Sequence, residues 1–161
     1  MKKQEQFNEI FESHYPKVIR LCKGYFNGDA EMAADASQEV FIKIWENLDR
    51  FRNESGISTW IFRITVNTCL VYLRKRSGKK EVNTASFPMV ATESYDLETE
   101  ERLKQLYACI RQLDQTGKMI IMMVLEGMPY NEIADVVGIT EETLRVRIHR
   151  IKKSLTQCVK K

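Results

Sequence analysis

The sequence is poor in the residues that mark β-rich proteins, metal centres and membrane spans. Its 161 residues include only seven Gly and three Pro, and alternating apolar and polar runs are few, which predicts a mostly helical protein. The two histidines, His14 and His149, are too few to favour a catalytic or metal-binding cluster. No stretch approaches the roughly 20 apolar residues of a membrane span, and the first residues lead into an amphipathic pattern rather than a signal peptide. We therefore expect no membrane insertion, no metal and no cofactor.

The four cysteines, Cys22, Cys69, Cys109 and Cys158, lie far apart in the chain. None shows the C-x-x-C spacing of a zinc site, and a disulfide framework is not expected in a chain without a secretory leader. We interpret them as free thiols, buried or incidental, in a reducing cytoplasm. A thiol-based redox enzyme is the alternative. It predicts that Cys-to-Ser changes abolish function, whereas we expect such changes to be tolerated.

Charge is distributed unevenly along a chain of otherwise ordinary composition. Hydrophobic residues make up 43% and charged residues 29%, as in a soluble globular protein. Residues 59–80 hold six Lys or Arg and no acidic residue, whereas residues 91–101 hold five acidic residues and no basic one. Residues 141–161 hold seven Lys or Arg and two Glu, a net +5. The informative quantity is therefore the position of the charge rather than the net +3 of the whole chain.

Residues 130–155 have the pattern of two helices joined by a tight turn. Ile133, Ala134 and Val137 fall on one face of a short helix. Gly138 follows directly, where a chain leaving a helix often needs a positive φ. Thr140 stands where the next helix needs an N-cap, and two Glu fill the first turn beside the positive end of the helix dipole. This pattern predicts a helix-turn-helix.

The second helix of this pair is strongly basic. Leu144, Ile148, Ile151 and Leu155 repeat at steps of four, three and four, which predicts one buried face. The other positions carry Arg145, Arg147, His149, Arg150, Lys152 and Lys153. Such a helix can enter the DNA major groove, and a helical hairpin with a solvated basic face is the alternative. We favour DNA because of the charge bias and because the small Ala134 lets two helices approach closely.

The N-terminal part predicts two amphipathic helices, over residues 5–25 and 29–48, the second capped by Asp29. In the second helix an apolar stripe predicts a core face, formed by Val40, Phe41, Ile44, Trp45 and Leu48. The opposite face carries Asp35, Gln38, Glu39, Lys43 and Glu46. From the residues alone, this polar face is either solvated or a docking surface for a partner.

A third helix is predicted over residues 59–76, with Ser58 or Thr59 as its N-cap. It interleaves basic residues with three aromatic rings, among them Trp60, and it carries Asn67, whose amide can read base edges. Basic residues beside aromatic rings suit single-stranded nucleic acid, because cations follow the phosphates and rings stack on unpaired bases. The alternative is a core helix with a basic last turn. In either case some side chains are predicted to pack inside: Ile61, Ile64, Val71 and Leu73.

Residues 77–99 lack a helical period and predict a linker between two units, residues 1–76 and 100–161. In the second unit, one helix is marked by Leu103, Leu106, Ile110 and Leu113, and Asp114 can cap the next. With the helix-turn-helix, these form four helices that can fold as a small bundle. We therefore predict an all-α protein of two small helical domains joined by a flexible linker.

The chain resembles the bacterial sigma factors of the extracytoplasmic-function (ECF) group. The family's region 2 segment that docks on the clamp helices of RNA polymerase is similar to residues 35–51, DASQEVFIKIWENLDRF. The segment that opens and reads the −10 promoter element resembles residues 58–76, STWIFRITVNTCLVYLRKR. Region 4, which binds the −35 element, resembles residues 109–155, including LEGMPYNEIADVVGITEETLRVRIHRIKKSL. Three motifs in the family's order, with a short acidic linker in place of a middle domain, are highly specific.

The resemblance implies a promoter-specificity subunit, not an enzyme, that binds core RNA polymerase and promoter DNA in the cytoplasm, with an anti-sigma factor as a further partner. For polymerase docking it implies Asp35, Gln38, Glu39, Phe41, Lys43 and Trp45. For the −10 element it implies Phe51, Asn53, Trp60, Arg63, Asn67 and Arg74. For the −35 element it implies Thr140, Glu141, Glu142, Thr143, Arg145, Arg147, His149, Arg150, Lys152 and Lys153.

The resemblance also gives roles to two loops. The loop at residues 51–55 would help to hold a base flipped from the duplex, and the acidic linker would run through the RNA exit path of the polymerase. A stand-alone regulator that binds only duplex DNA is the alternative function. It would account for the C-terminal unit but would leave the aromatic and basic helix at residues 59–76 unexplained.

Overall fold

The structure, a computed structural model, describes residues 2–52, 56–76 and 97–160. These residues form seven α-helices and no strand, which confirms the all-α prediction. In chain order the helices are α1 Lys3–Tyr25, α2 Ala30–Asn47, α3 Ile57–Arg76, α4 Leu97–Arg111, α5 Gln115–Leu125, α6 Tyr130–Val137 and α7 Glu141–Lys160. A 3₁₀ turn, Leu48–Arg50, follows α2. Most of the segment interpreted as a linker, residues 77–96, lies outside the described residues, and its last three residues belong to α4.

Three helix starts are capped by the side chains that the sequence indicated. Asp29 accepts from the backbone N–H of Met32 at 3.0 Å, and Asp114 accepts from that of Gly117 at 2.8 Å. Thr140 Oγ1 accepts from the backbone N–H of residue 143 at 3.1 Å. Each bond satisfies a donor that has no partner within its own helix, which stabilises the helix by about 1 kcal/mol. The predicted caps of α2, α5 and α7 are confirmed.

The turn between α6 and α7 depends on one glycine. Gly138 has a φ of 82° and adopts the left-handed conformation that ends α6, and its N–H donates to the carbonyl of Ala134. Only glycine takes this conformation without a steric penalty from a Cβ. Ala134 is buried, as expected for a small residue between two closely packed helices. The predicted helix-turn-helix is therefore confirmed, with its second helix starting at Glu141.

The start of α3 differs from the predicted cap. Because α3 begins at Ile57, Ser58 and Thr59 lie inside its first turn. Ser58 Oγ lies 3.1 Å from the Nε2 atom of His14 on α1, and Thr59 is buried, so both side chains serve tertiary contacts. Val71 is also misplaced by the prediction, since it is 37% exposed rather than packed inside.

His14 links α1 to α3 through a pH-dependent contact. Its Nδ1 lies 3.1 Å from the carbonyl of Ile10 and its Nε2 3.1 Å from Ser58 Oγ. A neutral ring fits both partners, with Nδ1–H donating to the carbonyl and Nε2 accepting from the hydroxyl. Burial, together with the nearby charge of Lys17, lowers the pKa of His14 below its ordinary 6.5, against the raising effect of the Ile10 hydrogen bond.

This contact predicts how stability responds to mild acid. The unfolded ring takes up a proton more readily than the folded one, so the stabilisation is present above pH 6.5 and is lost as the pH falls through the lower, folded value. We expect the urea midpoint to decrease between about pH 7.5 and pH 5, and His14→Gln to reduce that decrease. Urea denaturation of both proteins across this range is the measurement. An equally steep pH dependence in the variant would contradict the assignment.

Buried side chains from all seven helices form one connected cluster. Its largest fully buried members are Tyr25, Phe62, Leu21, Ile44, Ile61, Ile110, Met119, Ile120, Met123, Ile133, Leu144 and Val18. In the first part of the chain α2 packs on both α1 and α3, and in the second part α7 packs on α4, α5 and α6. The two parts also touch, because α1 packs against α5 and α3 packs against α6.

The contact between α1 and α5 combines a close approach with two polar bonds. Gly24 is buried against the thioether of Met122, and a Cβ at residue 24 would overlap that side chain. Arg20 donates two hydrogen bonds to the Glu126 carboxylate, from Nη2 at 2.7 Å and from Nε at 2.9 Å. Lys118 Nζ donates to the side-chain oxygen of residue 27 at 3.1 Å. This geometry specifies one relative placement of the two parts.

The cysteines correct one sequence-based prediction. Cys109 and Cys158 form a disulfide between α4 and α7, whereas Cys22 and Cys69 are free and buried. Free thiols were predicted at all four positions, and this is wrong for Cys109 and Cys158. The pair is 49 residues apart in sequence, and only the packing of α4 on α7 brings the two side chains together.

The described residues show neither a membrane span nor a metal cluster. None of the helices between residues 2 and 160 that are described combines the length and the apolar character needed to cross a bilayer. The same residues hold no group of three His, Cys, Asp or Glu side chains arranged to bind a metal ion.

Candidate nucleic-acid and polymerase interfaces

One side of α7 is buried and the other is basic and exposed. Leu144, Ile148, Ile151 and Leu155 are buried, as their spacing predicted. The exposed side carries almost all the side chains predicted for the −35 element: Thr140, Glu141, Glu142, Thr143, Arg145, His149, Arg150, Lys152 and Lys153. The structure therefore brings these predicted residues together on one surface, which we name the α7 basic face.

Local contacts orient the arginines of the α7 basic face. Arg145 Nη2 lies 3.1 Å from the Glu141 carboxylate one turn earlier, and its guanidinium lies 5.1 Å from the centre of the Tyr130 ring. These contacts position the Arg145 fork before any ligand is bound. Arg147 is half-buried and points towards Asp114 at the start of α5, with 3.8 Å between the charged atoms. Arg147 is therefore less available to a ligand than Arg145.

The candidate −10 residues are distributed along α3 and the loop before it. Trp60 is half-buried and packs against Phe51, with 4.8 Å between the ring centroids, so its ring is partly covered by protein and partly accessible. Asn67 and Arg74 are exposed. Asn53 lies outside the described residues. Arg63 points towards α6, where its Nε donates to the carbonyl of residue 135 at 3.3 Å.

The two candidate DNA surfaces therefore lie on helices that touch. α3 carries the predicted −10 residues and packs directly against α6, the first helix of the helix-turn-helix. The hydrogen bond of Arg63 is part of this contact. Helices in contact have axes about 8–10 Å apart, so this arrangement holds the two DNA surfaces close to each other.

The exposed side of α2 has an apolar centre that sequence reasoning missed. Asp35, Gln38, Ile42 and Trp45 are exposed and follow one another at steps of three, four and three, so they form one stripe, which we name the α2 stripe. Ile42 is 49% exposed and Trp45 37%. The signal for Ile42 was present in the sequence, because this residue lies off the buried face formed by residues 40, 41, 44 and 48.

Other residues predicted for polymerase docking lie beside or beneath the α2 stripe. Phe41 is buried, with its ring centroid 4.9 Å from that of Phe11, so it supports the surface from below. Lys43 is half-buried and its Nζ donates to Thr68 Oγ1 at 3.3 Å. Glu39 is half-buried at the edge of the stripe. Burial, reinforced by the Glu39 and Asp35 charges, raises the pKa of the neighbouring Tyr72.

An aromatic cluster on α1 borders the same surface. Phe7, Phe11 and Tyr15 project from one side of α1, and Phe11 and Tyr15 are each more than one-third exposed. Phe7 lies edge-on to Trp45 with 5.3 Å between centroids, and Lys3 Nζ lies 4.3 Å from the Trp45 ring. The prediction that Trp45 belongs to the core is therefore only partly correct, because one side of the indole packs on α1 and the other is open.

Comparison with known families assigns both parts of the chain. The family described as Sigma-70 region 2 matches residues 10–79, and the family described as Sigma-70, region 4 matches residues 103–155. The first match includes α2 and α3, and the second includes the helix-turn-helix with most of α7.

Comparison with individual proteins extends the similarity over nearly the whole chain. The ECF RNA polymerase sigma-E factor of Escherichia coli (strain K12) is 29% identical over 168 residues, which cover 94% of this chain and 85% of that protein. The ECF RNA polymerase sigma-E factor of Haemophilus influenzae is 30% identical over 166 residues, which cover 94% of this chain and 86% of that protein.

Two solved structures share the fold. The sigma factor RpoE, in complex with the anti-sigma factor NepR from Bartonella quintana, superposes with a TM-score of 0.80 at 20% identity over 97% of this chain and 98% of that one. CnrH, in complex with the cytosolic domain of CnrY, superposes with a TM-score of 0.73 at 20% identity over 98% and 89% of the two chains. With two matching family regions and relatives of similar length, the chain belongs to the ECF sigma factors: it is a promoter-specificity subunit of RNA polymerase that acts in transcription initiation and is not itself an enzyme.

Proposed function

We propose that this sigma factor holds its promoter at two points, with α7 on the −35 element and α3 on the −10 element, and docks on core RNA polymerase through α2. In this proposal residues 1–76 form the polymerase and −10 unit, residues 77–99 the linker and residues 100–161 the −35 unit. The observation that carries the proposal is the α7 basic face, exposed on a helix whose other side is buried and whose start is capped.

At the −35 element, two kinds of contact are expected from the α7 basic face. Arg145 and Arg150 are our candidates for base edges in the major groove, where a guanidinium binds guanine through two hydrogen bonds. Glu141 or Glu142 can accept a hydrogen bond from a cytosine amine. The two lysines at residues 152 and 153 lie farther along the helix and are assigned to phosphates, which position the protein without specifying the sequence.

At the −10 element, the strands must separate before unpaired bases can be read. Trp60 and Phe51 already form a pair of packed rings on which an unpaired base can stack, a contact worth about 1–3 kcal/mol. That energy is of the same order as the few kcal/mol needed to flip a base from the duplex. Asn67 is exposed on the same helix and has the amide needed to read a base edge.

Docking on the polymerase is assigned to the α2 stripe. Its centre, Ile42 and Trp45, is apolar and exposed, while Asp35 and Gln38 at one end are polar. An apolar centre with a polar rim is the usual organisation of a protein–protein interface. The aromatic cluster on α1 stabilises this centre from the side.

The centre of the stripe gives a first mutational prediction. Replacing Ile42 by Glu places a charge where we expect apolar burial, and should weaken binding to core polymerase by about fivefold. Titration of fluorescently labelled protein with core enzyme measures this effect. Leu125→Glu is the matched control, because Leu125 is similarly exposed but lies at the end of α5. Equal affinities of the two variants would contradict the assignment of the stripe.

Binding both promoter elements requires the two units to separate. Elements centred near −35 and −10 lie about 25 base pairs apart, which is about 85 Å along B-DNA at 3.4 Å per base pair. In the structure the two DNA-binding helices are linked by the contact between α3 and α6. This closed form cannot reach both elements, so we propose that it is the form off DNA and that it opens on the promoter. The linker makes the second contact intramolecular once the first has formed.

A proposed protein partner and location complete this function. RpoE and CnrH were solved in complex with the anti-sigma factor NepR and with the cytosolic domain of CnrY, respectively. By analogy we propose that an anti-sigma factor binds this chain and covers its DNA or polymerase surfaces. Because the family acts on RNA polymerase, we place its activity in the cytoplasm.

Selection of bound DNA from random pools tests the two-point proposal. The full chain, in complex with core polymerase, is incubated with a random duplex pool and with a random single-stranded pool. We expect each pool to yield its own enriched motif, with the duplex motif lost when α7 is altered and the single-stranded motif lost when α3 is altered. Enrichment from the duplex pool alone would instead support the stand-alone regulator.

A further inference from the structure

A disulfide joins the first and last helices of the −35 unit. Cys109 lies in the last turn of α4 and Cys158 in the last turn of α7, and their sulfur atoms are bonded. Cys158 follows the last proposed DNA contact, Lys153, by five residues, or about 7.5 Å along the helix at 1.5 Å per residue. The bond therefore holds the end of the same helix that carries the α7 basic face.

The disulfide is accessible from solvent on one side. Cys158 is half-buried and lines an open recess of about 420 Å³, together with the polar residues Gln112, Ser154 and Gln157. Cys109 is buried, with only 6% of its surface exposed. A small thiol, or the reactive loop of a reductase, can therefore approach the sulfur of Cys158, whereas Cys109 is shielded and serves as the leaving group.

The second cysteine pair is the opposite case. Cys22 and Cys69 are fully buried between α1 and α3, with 3.7 Å between their sulfur atoms, and remain free thiols. Thiol chemistry requires access for the attacking sulfur, and this pair has none. The chain therefore contains one accessible pair that is bonded and one inaccessible pair that is not, which provides an internal control.

The packing of α4 makes it sensitive to the bond. α4 packs mainly on α7 and to a smaller extent on α5, and its first residue, Leu97, is 83% exposed. Only Cys109 and Ile110, both near its end, are buried along this helix. The disulfide closes a loop of 49 residues, a length at which a cross-link stabilises the folded state substantially.

We propose that Cys109 and Cys158 are a thiol–disulfide switch that sets the stability of the α4–α7 packing, with a dithiol protein reductant and a low-molecular-weight disulfide oxidant as its chemical partners. The oxidised form holds the recognition helix firmly, and the reduced form lets the ends of α4 and α7 open. The effect on DNA rests on the proposed −35 role of α7, whereas the effect on stability does not.

The exchange reactions balance as follows. A thiolate of the reductant attacks Sγ of Cys158, the Cys109–Cys158 bond breaks, and Cys109 leaves as a thiolate that takes up a proton. The second thiolate of the reductant attacks the mixed disulfide and releases Cys158 as a thiol. Two electrons and two protons pass to the protein, and the reductant becomes a disulfide. The same steps in reverse, with an oxidised low-molecular-weight disulfide, restore the protein bond.

The test compares the oxidised and reduced forms of the full chain. Thiol titration after denaturation should find two thiols in the oxidised form and four in the reduced form, because only one pair is bonded. Reduction should lower Tm by about 10 °C and speed hydrogen exchange in α4 and α7 but not in α2. Cys158→Ser should behave as reduced protein in both buffers. Cys22→Ala should keep the difference between the two forms, whatever its own Tm.

Each outcome separates the switch from the −35 proposal. Four thiols after treatment with the oxidant, or equal Tm and exchange in the two forms, would overturn the switch. A redox difference that disappears in Cys22→Ala would also overturn it, since it would place the effect in the wrong pair. If the stability difference is found but neither form binds duplex DNA, the switch stands and the −35 role of α7 fails.

Discussion

Replacing Arg145 and Arg150 together by alanine is expected to weaken binding to the selected −35 duplex by about 100-fold. Each guanidinium that binds a base through two hydrogen bonds contributes about 1–3 kcal/mol of discrimination. Both side chains are exposed on the helix face opposite the buried leucines and isoleucines, so their loss should leave the fold unchanged. Fluorescence anisotropy with the selected duplex and with a scrambled duplex measures the effect.

The form of this loss distinguishes base reading from charge attraction. If the two arginines read bases, the loss should be large on the selected duplex and small on the scrambled one. Changing Lys152 and Lys153 to alanine should instead weaken both duplexes equally and reduce the slope of log affinity against log salt by about 0.9 for each phosphate that is no longer neutralised. An equal loss on both duplexes in the arginine variant would show that these residues bind phosphate and would contradict their assignment.

Arg102→Ala is the matched control for this experiment. Arg102 on α4 pairs with Glu98 one turn earlier at 2.8 Å, just as Arg145 pairs with Glu141 at 3.1 Å. The control thus removes an exposed arginine with the same local contact, but away from α7. We expect its affinity for the selected duplex to match that of the unchanged chain. A loss comparable to that of the double variant would mean that net charge alone governs binding.

The second large effect is expected at the contact between the two units. Glu126→Arg removes the hydrogen bonds from Arg20 and places two guanidinium groups together at the α1–α5 contact. The Glu126 side chain is only 11% exposed, while that of Arg20 is 51% exposed, so solvent screens part of the interaction. With that discount we expect a change of about 2 kcal/mol, which is about a 30-fold shift towards the open form.

Opening has two measurable consequences. Small-angle X-ray scattering should show a larger radius of gyration for Glu126→Arg than for the unchanged chain. Affinity for a promoter carrying both elements should rise, because a closed form that cannot bind both lowers the apparent affinity in proportion to its population. The charge swap that combines Arg20→Glu with Glu126→Arg should restore the closed form. Glu98→Arg, which alters an exposed ion pair outside this contact, is the control.

A restored charge pair without a return to the compact form would contradict the role of this contact. So would a Glu126→Arg chain that is larger in solution but has unchanged promoter affinity, since this would mean that opening is not linked to DNA binding. The contact of Gly24 with Met122 remains in all these variants, so the experiment isolates the ionic part of the contact.

The features that the sequence predicted correctly depend on neighbours along the chain. Capping by Asp29, Asp114 and Thr140 involves residues three positions apart, and the left-handed Gly138 follows from the end of one short helix. The buried face of α7 repeats with the helical period over four turns. Such signals are local, so they can be found in the sequence without knowledge of the tertiary structure.

The features that the sequence missed depend on contacts between distant segments. Cys109 and Cys158 meet only because α4 packs on α7, and Arg63 reaches α6 only because the two units touch. Ser58 and Thr59 have the composition of N-caps but lie within α3, where contacts with other helices override local preference. Ile42 is a different case, because its spacing indicated an exposed position but an isolated apolar residue on a polar face carries a weak signal.

The site residues also show how a resemblance can be refined by geometry. The family motif assigns Phe41 and Lys43 to polymerase docking, but Phe41 is buried and Lys43 is engaged with Thr68. Ile42 lies between them and points outwards. A motif identifies the segment, whereas the phase of the helix decides which of its side chains a partner can contact.

The most direct measurement is transcription by purified core RNA polymerase with and without this chain on a library of genomic fragments. We expect start sites that require the chain and that share two upstream elements at a nearly fixed spacing, one of which loses its effect in the Arg145 and Arg150 double alanine variant. Start sites that do not depend on the chain, or chain-dependent sites without a shared upstream element, would contradict the proposal that this sigma factor selects promoters by holding them at two points.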